Sequence, residues 1–102
     1  FDISAACTGF VYIVGIAKAF IESGMKRNVL IVGSEKLSAI TDYTDRGTCI
    51  LFGDGAGAAM ITATTEKSEG FIDVHASADG SYADFLVTPA PGTVNPVSQK
   101  VI

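Results

Sequence analysis

Phe1-Asp2-Ile3-Ser4-Ala5-Ala6-Cys7-Thr8-Gly9-Phe10 is the stretch on which the reading of this chain turns. Residues 1–6 read as a short apolar strand and residues 8–23 as a helix that follows without a spacer, so Cys7 falls at the junction. The first turn of a helix carries unpaired N–H groups and the positive end of the macrodipole, and both favour an anion such as a thiolate. Cys7 is therefore a candidate nucleophile. Unpaired cysteine is also among the most buried residue types, acting as a small hydrophobe, and spacing alone leaves both readings open.

In the helical stretch Phe10, Val11, Ile13, Val14, Ala17, Phe20 and Ile21 leave a narrow polar face, which predicts a buried helix. Lys18 and Glu22 stand four apart on that polar face, and Gly24 follows as a C′ residue that ends it. The apolar run 28–33 predicts a strand buried on both faces of a parallel or mixed sheet, completing a right-handed βαβ unit with residues 1–6. Residues 34–45 read as a short helical or irregular excursion, and 41–47 as a polar loop. Strands are predicted at 49–52, 58–64, 71–77 and 85–87, a turn at 78–81 and a loop at 89–96.

At 102 residues with 48% hydrophobic content, one compact unit is the default expectation. A net charge of -4, from 11 acidic and 7 basic residues, argues against a sequence-independent grip on nucleic acid phosphates. The longest apolar candidate, 10–20, is interrupted by Gly15 and Lys18 and is shorter than the roughly 18 residues a membrane span needs. With two cysteines and no signal peptide, the chain reads as reduced and intracellular, which disfavours a Cys7–Cys49 bridge. It opens without Met inside a strand-like run and closes without a helix stop, so a segment of a longer protein is expected.

Three further motifs each admit two readings. Gly53-Asp54-Gly55-Ala56-Gly57 invites a phosphate-loop reading, but it has neither a Walker lysine nor Gly-x-Gly-x-x-Gly spacing, and a structural bend or bulge is preferred. Asp45-Arg46-Gly47-Thr48 is either a polar turn or the mount of an arginine that stacks on a flat ring or meets a phosphate. His75, the one histidine, is the first candidate base for Cys7, yet it shares a predicted strand face with Asp73, which favours a solvated role. No Cys/His cluster supports a zinc site.

Taken together, Ala5-Ala6-Cys7-Thr8-Gly9-Phe10, Thr44-Asp45-Arg46-Gly47-Thr48, Phe52-Gly53-Asp54-Gly55-Ala56-Gly57-Ala58 and Ala78-Asp79-Gly80-Ser81-Tyr82 follow one another in this order. The chain resembles the β-ketoacyl-acyl-carrier-protein synthase III family, the initiating condensing enzymes of type II fatty acid synthesis. The resemblance covers nearly all of this chain but only about the middle third of a family member.

It implies the α/β class and a thiolase-like α-β-α-β-α layered fold, here only part of it: a mixed sheet with a buried central helix after Cys7. Residues 1–102 would be a single partial domain, the end of the N-terminal half and the start of the connection to the second. By position, Cys7 would be the acylated nucleophile and its backbone N–H an oxyanion donor. Arg46 would pack on the adenine of coenzyme A, and Leu37, Leu51, Phe52 and Leu86 would line the acyl pocket and its approach. The implied partners are an acyl-coenzyme A starter, malonyl-acyl-carrier protein and a second copy in a homodimer, in bacterial cytoplasm or a plastid, with no cofactor, metal, nucleic acid or membrane.

The family's catalytic His and Asn fall outside this chain, which leaves His75 out of the active site and the segment alone inactive. A non-catalytic structural or dimerisation piece, a nucleotide-binding loop and a related condensing enzyme of secondary metabolism are the competing expectations.

Overall fold

A computed structural model describes residues 1–88 and 91–96. In chain order the elements are a 3-10 turn Ala6–Thr8, helix α1 (Gly9–Glu22), strand β1 (Asn28–Lys36), a 3-10 turn Leu37–Ala39, strand β2 (Asp54–Thr62) and a 3-10 helix Gly80–Phe85. Helix α1 follows from its composition and its ends. Lys18 Nζ meets Glu22 Oε2 at 2.6 Å across one turn, a pairing worth a few tenths of a kcal/mol on an exposed helix face. Gly24, just past the Ser23 cap, takes φ +74°, a conformation that glycine reaches without a Cβ clash. Its N–H donates to the Ile21 carbonyl and that of Lys26 to Phe20, which closes the last turn.

β1 and β2 pair antiparallel in an unbroken one-to-one register from Asn28 opposite Thr62 to Lys36 opposite Asp54. Alternation then gives the pair two faces. Val29 and Ile31 of β1, with Ala59 and Ile61 of β2, point to the covered side, where α1 packs. The core there is narrow: Ala17 of α1 and Ile31 of β1 are the buried hydrophobics among the described residues. On the opposite side Leu30 (60% exposed) stands directly across from Met60 (57%), with Val32 (56%) beside them. The radius of gyration is 17.9 Å, against about 13 Å for a compact domain of this length.

Several expectations are corrected by this arrangement. Residues 1–5 form no strand, because among the described residues no neighbouring strand lies beside them to satisfy their backbone, so the βαβ unit reduces to a helix followed by an antiparallel pair. The sheet is antiparallel rather than mixed. β1 runs on to Lys36 and is covered on one face instead of two, and α1 leaves Phe10 and Val11 exposed rather than buried. The glycine-rich run is neither bend nor bulge: Gly53 leads into β2, and residues 54–57 are its first half, paired with residues 33–36 in a ladder that needs backbone and not side chains. Residues 49–51 are turn and Phe52 is irregular, and 71–77 and 85–87 are irregular or end the 3-10 helix, again without a strand to pair with among the described residues. The default of one compact unit fails for the same reason: the apolar residues are present, but little in the chain covers them.

The strand expected at 58–64 overlaps β2 only as far as Thr62, and the turn at 78–81 leads into the 3-10 helix, with Asp79 Oδ1 accepting from the Ser81 N–H (2.9 Å). Of the loop at 89–96, residues 91–95 are bends closed by the Gly92 N–H on the Asn95 carbonyl (2.7 Å), and Pro96 is irregular. Residues 89–90 and 97–102 lie outside the described residues.

Burying each of Leu30, Val32 and Met60 would be worth about 1.5–3 kcal/mol, and here that gain is forgone. The isolated 102-residue chain should therefore self-associate in sedimentation velocity and melt without a sharp transition. A soluble monomer with a cooperative melt would contradict this.

Candidate active site

The start of α1 and the end of β1 lie toward the same end of the layer. α1 passes into β1 through residues 23–27 and packs on it, so the two run in opposite directions. The head of α1, with Cys7, thus lies toward the end where β1 gives way to Leu37 and where Phe52 and Gly53 lead into β2. Four of the six expected site residues stand at or enter from this end: Cys7 before α1, Leu37 at the first position after β1, and Leu51 and Phe52 just before β2.

Cys7 is exposed and sits in the 3-10 turn directly ahead of α1. The residue before it, Ala6, has φ +47° and is the one non-glycine with positive φ among the described residues. An L-residue in the left-handed region costs about 1–2 kcal/mol, and such strain is held only where the surroundings over-determine it. The Gly9 N–H closes this turn on the Ala6 carbonyl. Thr8 occupies the helix cap but does not cap it: its Oγ1 donates backwards to the Ala5 carbonyl at 2.9 Å, and no acidic side chain lies in the first turn of α1. The electropositive head of the helix is left without a side-chain anion beside Cys7. Cys7 and Cys49 are both free thiols.

Residues 37–53, between the strands, are held by carboxylates. Asp54 receives both the Ser38 N–H (Oδ1, 2.8 Å) and the Ser38 hydroxyl (Oδ2, 2.5 Å), which ties the Leu37–Ala39 turn to the start of β2. The Leu37 carbonyl in turn accepts from the Ile40 and Thr41 N–H groups at 3.0 Å and from Thr41 Oγ1 at 2.7 Å. Asp42 takes the Thr44 hydroxyl and N–H, and Asp45 takes the Thr48 hydroxyl and the Gly47 N–H. These hydrogen bonds hold Asp42, Asp45 and Asp54 below the ordinary carboxylate pKa, the hydroxyl bond being the largest cause in each case. A carboxylate with a depressed pKa contributes its tie above its ordinary pKa and loses it as pH falls through the lowered value, so all three ties are complete at neutral pH.

The remaining expected residues are less engaged. Arg46 is exposed at the crest of this loop. Leu51 (69%) and Leu86 are exposed, while Leu37 and Phe52 are half-buried. Among the described residues no hydrogen bond, ion pair or ring contact joins Cys7 to any of them. His75 lines a cavity of about 160 Å³ with Thr8, Val11 and Tyr12, one residue from Cys7 but without a hydrogen bond to it. An apolar groove of about 390 Å³ runs along α1 between Ile3, Ile16, Val74 and Ala76. Among the described residues no three His, Cys, Asp or Glu side chains are placed to hold a metal, and no helix is long and apolar enough to cross a membrane.

Ser38, Asp42, Thr48 and Asp54 were not singled out from sequence. The signal was available for some: an Asp followed two or three residues on by Gly, Ser or Thr recurs at Asp42, Asp45 and Asp79 and is the pattern of a side chain capping its own turn.

Residues 1–80 match the family model of 3-oxoacyl-[acyl-carrier-protein (ACP)] synthase III. The chain belongs to this family. A β-ketoacyl-[acyl-carrier-protein] synthase III of a Sulfurovum species is 79% identical over 102 residues, all of this chain and 30% of that protein. That of Aliarcobacter butzleri is 68% identical, again over the whole chain and 31% of its own length. Among solved structures, the synthase III of Thermus thermophilus superposes with a TM-score of 0.81 at 39% identity, over 90% of this chain and 28% of that one. The synthase III of Aquifex aeolicus gives 0.64 at 58% identity, over 66% and 22%. The chain thus spans about 30% of the length of the curated relatives it matches. Its helix and antiparallel pair are part of the thiolase-like α/β fold of these synthases.

Replacing Ala6 tests whether its turn holds Cys7 in place. In the full-length protein Ala6→Val should lower stability by about 2 kcal/mol in urea unfolding, because a β-branched side chain resists positive φ, whereas Ala6→Gly should stay within about 1 kcal/mol. Equal stability of the two variants would contradict the strained turn.

Proposed function

We propose that the protein carrying this chain is an acyltransferase of fatty acid biosynthesis, a β-ketoacyl-acyl-carrier-protein synthase III, and that Cys7 is its acyl carrier. The observation that carries the reading is the position of Cys7: exposed, on a strained turn, at the uncapped head of α1, in a chain of this family. The Cys7 sulfur attacks the thioester carbonyl of a starter acyl-coenzyme A. A C–S bond forms, the carbonyl oxygen takes up negative charge facing the Cys7 N–H, and coenzyme A leaves as its thiol with the proton. In the second half-reaction malonyl-acyl-carrier protein loses carbon dioxide, its carbanion attacks the Cys7 thioester, and the thiolate is released. The His and Asn that the resemblance assigns to this decarboxylation are not in the chain, so the segment alone condenses nothing.

In this reading Arg46 packs on the adenine of coenzyme A. Leu37, Leu51, Phe52 and Leu86 line the acyl pocket and its approach, and their bulk bears on starter length. The chain supplies the end of the N-terminal half and the start of the connection to the second half of a cytoplasmic homodimer that needs no cofactor. The apolar outer face of the β1–β2 pair supports a complementary reading for the isolated chain, as a structural piece whose partner surfaces lie in the remainder of the protein.

Full-length protein mixed with acetyl-coenzyme A and no malonyl donor should release about one equivalent of coenzyme A per chain in a burst. Cys7→Ala should abolish the burst and lower condensation by several orders of magnitude. A burst that survives Cys7→Ala would sink the proposal.

A further inference from the structure

Arg46 lies inside a turn whose hydrogen bonds converge on its neighbour. Asp45 Oδ1 accepts the Gly47 N–H at 2.9 Å and Oδ2 accepts the Thr48 hydroxyl at 2.7 Å. The Asp45 carbonyl accepts the N–H groups of Thr48 (3.3 Å) and Cys49 (2.9 Å), and the Asp45 N–H donates to the Asp42 carbonyl at 3.2 Å. The backbone is therefore pinned on both sides of Arg46. The side chain between the pins is not: among the described residues the guanidinium enters no ion pair or hydrogen bond, although a carboxylate is its immediate neighbour in sequence.

Geometry explains why Asp45 does not capture it. Both carboxylate oxygens are turned along the chain, Oδ1 to the Gly47 N–H and Oδ2 to the Thr48 hydroxyl, rather than toward the Arg46 side chain. Gly47 completes the device, since a Cβ there would stand 3.2 Å from Asp45 Oδ1, closer than van der Waals contact allows without displacing the carboxylate. The residue types of Asp45-Arg46-Gly47-Thr48 thus each have a part: an acceptor, a cation, a position without a Cβ, and a hydroxyl donor.

We infer that Asp45 is the positioning residue for Arg46, fixing the turn that carries it while leaving the guanidinium open to the nucleotide end of the acyl donor. The inference rests on the adenine-packing role proposed above for Arg46. A cation held on a fixed backbone forfeits less ordering entropy when it meets a flat ring than one on a mobile loop.

The test compares two donors in the full-length protein: acetyl-coenzyme A, and acetyl-pantetheine, which has the same thioester without the nucleotide. The quantity read is the ratio of kcat/KM for the two. Arg46→Ala and Asp45→Ala should each lower that preference about tenfold, the scale of one desolvated cation–ring contact, and the double variant should lower it little further. Asp45→Asn, which keeps an acceptor for the Gly47 N–H and an amide partner for Thr48, should restore most of it. If Arg46→Ala lowers the preference and Asp45→Ala does not, or if Asp45→Ala and Asp45→Asn weaken both donors equally, the positioning role is overturned. If Arg46→Ala itself leaves the preference intact, the adenine-packing role falls, and the inference with it.

Discussion

The packing of α1 against one face of the β1–β2 pair fixes where Cys7 stands, because the helix begins two residues after the thiol and has no other sheet to lie on among the described residues. Ala17 and Ile31 are the buried hydrophobics of that contact. If α1 slid or tilted, the Ala6 turn would move with it. The strained φ of Ala6 makes sense in that setting: a turn costing about 1–2 kcal/mol persists where the helix behind it is anchored. The same contact sets the direction of β1, and with it places Leu37 toward the same end of the layer as the head of α1.

Around this helix-on-sheet contact, short carboxylate-bonded turns do the work that a larger core does elsewhere. Asp54 pins the exit from β1 to the entry of β2, and Asp42 and Asp45 order the loop between them. None of these bonds is buried, and those of Asp42 and Asp45 are local, so the loop keeps its shape without the apolar cover that the outer sheet face lacks. In the proposed reaction, affinity for a long, partly nucleotide donor and chemistry at a single sulfur would fall on different parts of the chain, the loop holding one end of the donor while the helix head presents the nucleophile to the other.

Local signals were legible in the sequence wherever the physics is local. The Lys18–Glu22 pair, the stop at Gly24 and the helix start just after Cys7 depend on neighbours a few residues away, and all are found. The strand predictions at 1–6, 49–52, 71–77 and 85–87 failed because a strand is completed by a neighbour, and no neighbour lies beside these segments among the described residues. Gly53-Asp54-Gly55-Ala56-Gly57 was misread in the opposite sense: glycines signalled a bend, but pairing with residues 33–36 made them strand. At the site, Cys7 and Arg46 were legible as residue types at suggestive positions. The roles of Ser38 and Asp54 were not, since a hydrogen bond spanning 16 positions leaves no periodic trace.

The central claim is that this helix head carries the acyl group. Peptide mass spectrometry of the full-length protein, after brief exposure to acetyl-coenzyme A and acid quench, reads it directly. The account predicts one acetyl group on the peptide containing Cys7 and an unmodified Cys49 peptide. An acetyl group on Cys49, or covalent acetyl found on neither thiol, would contradict it.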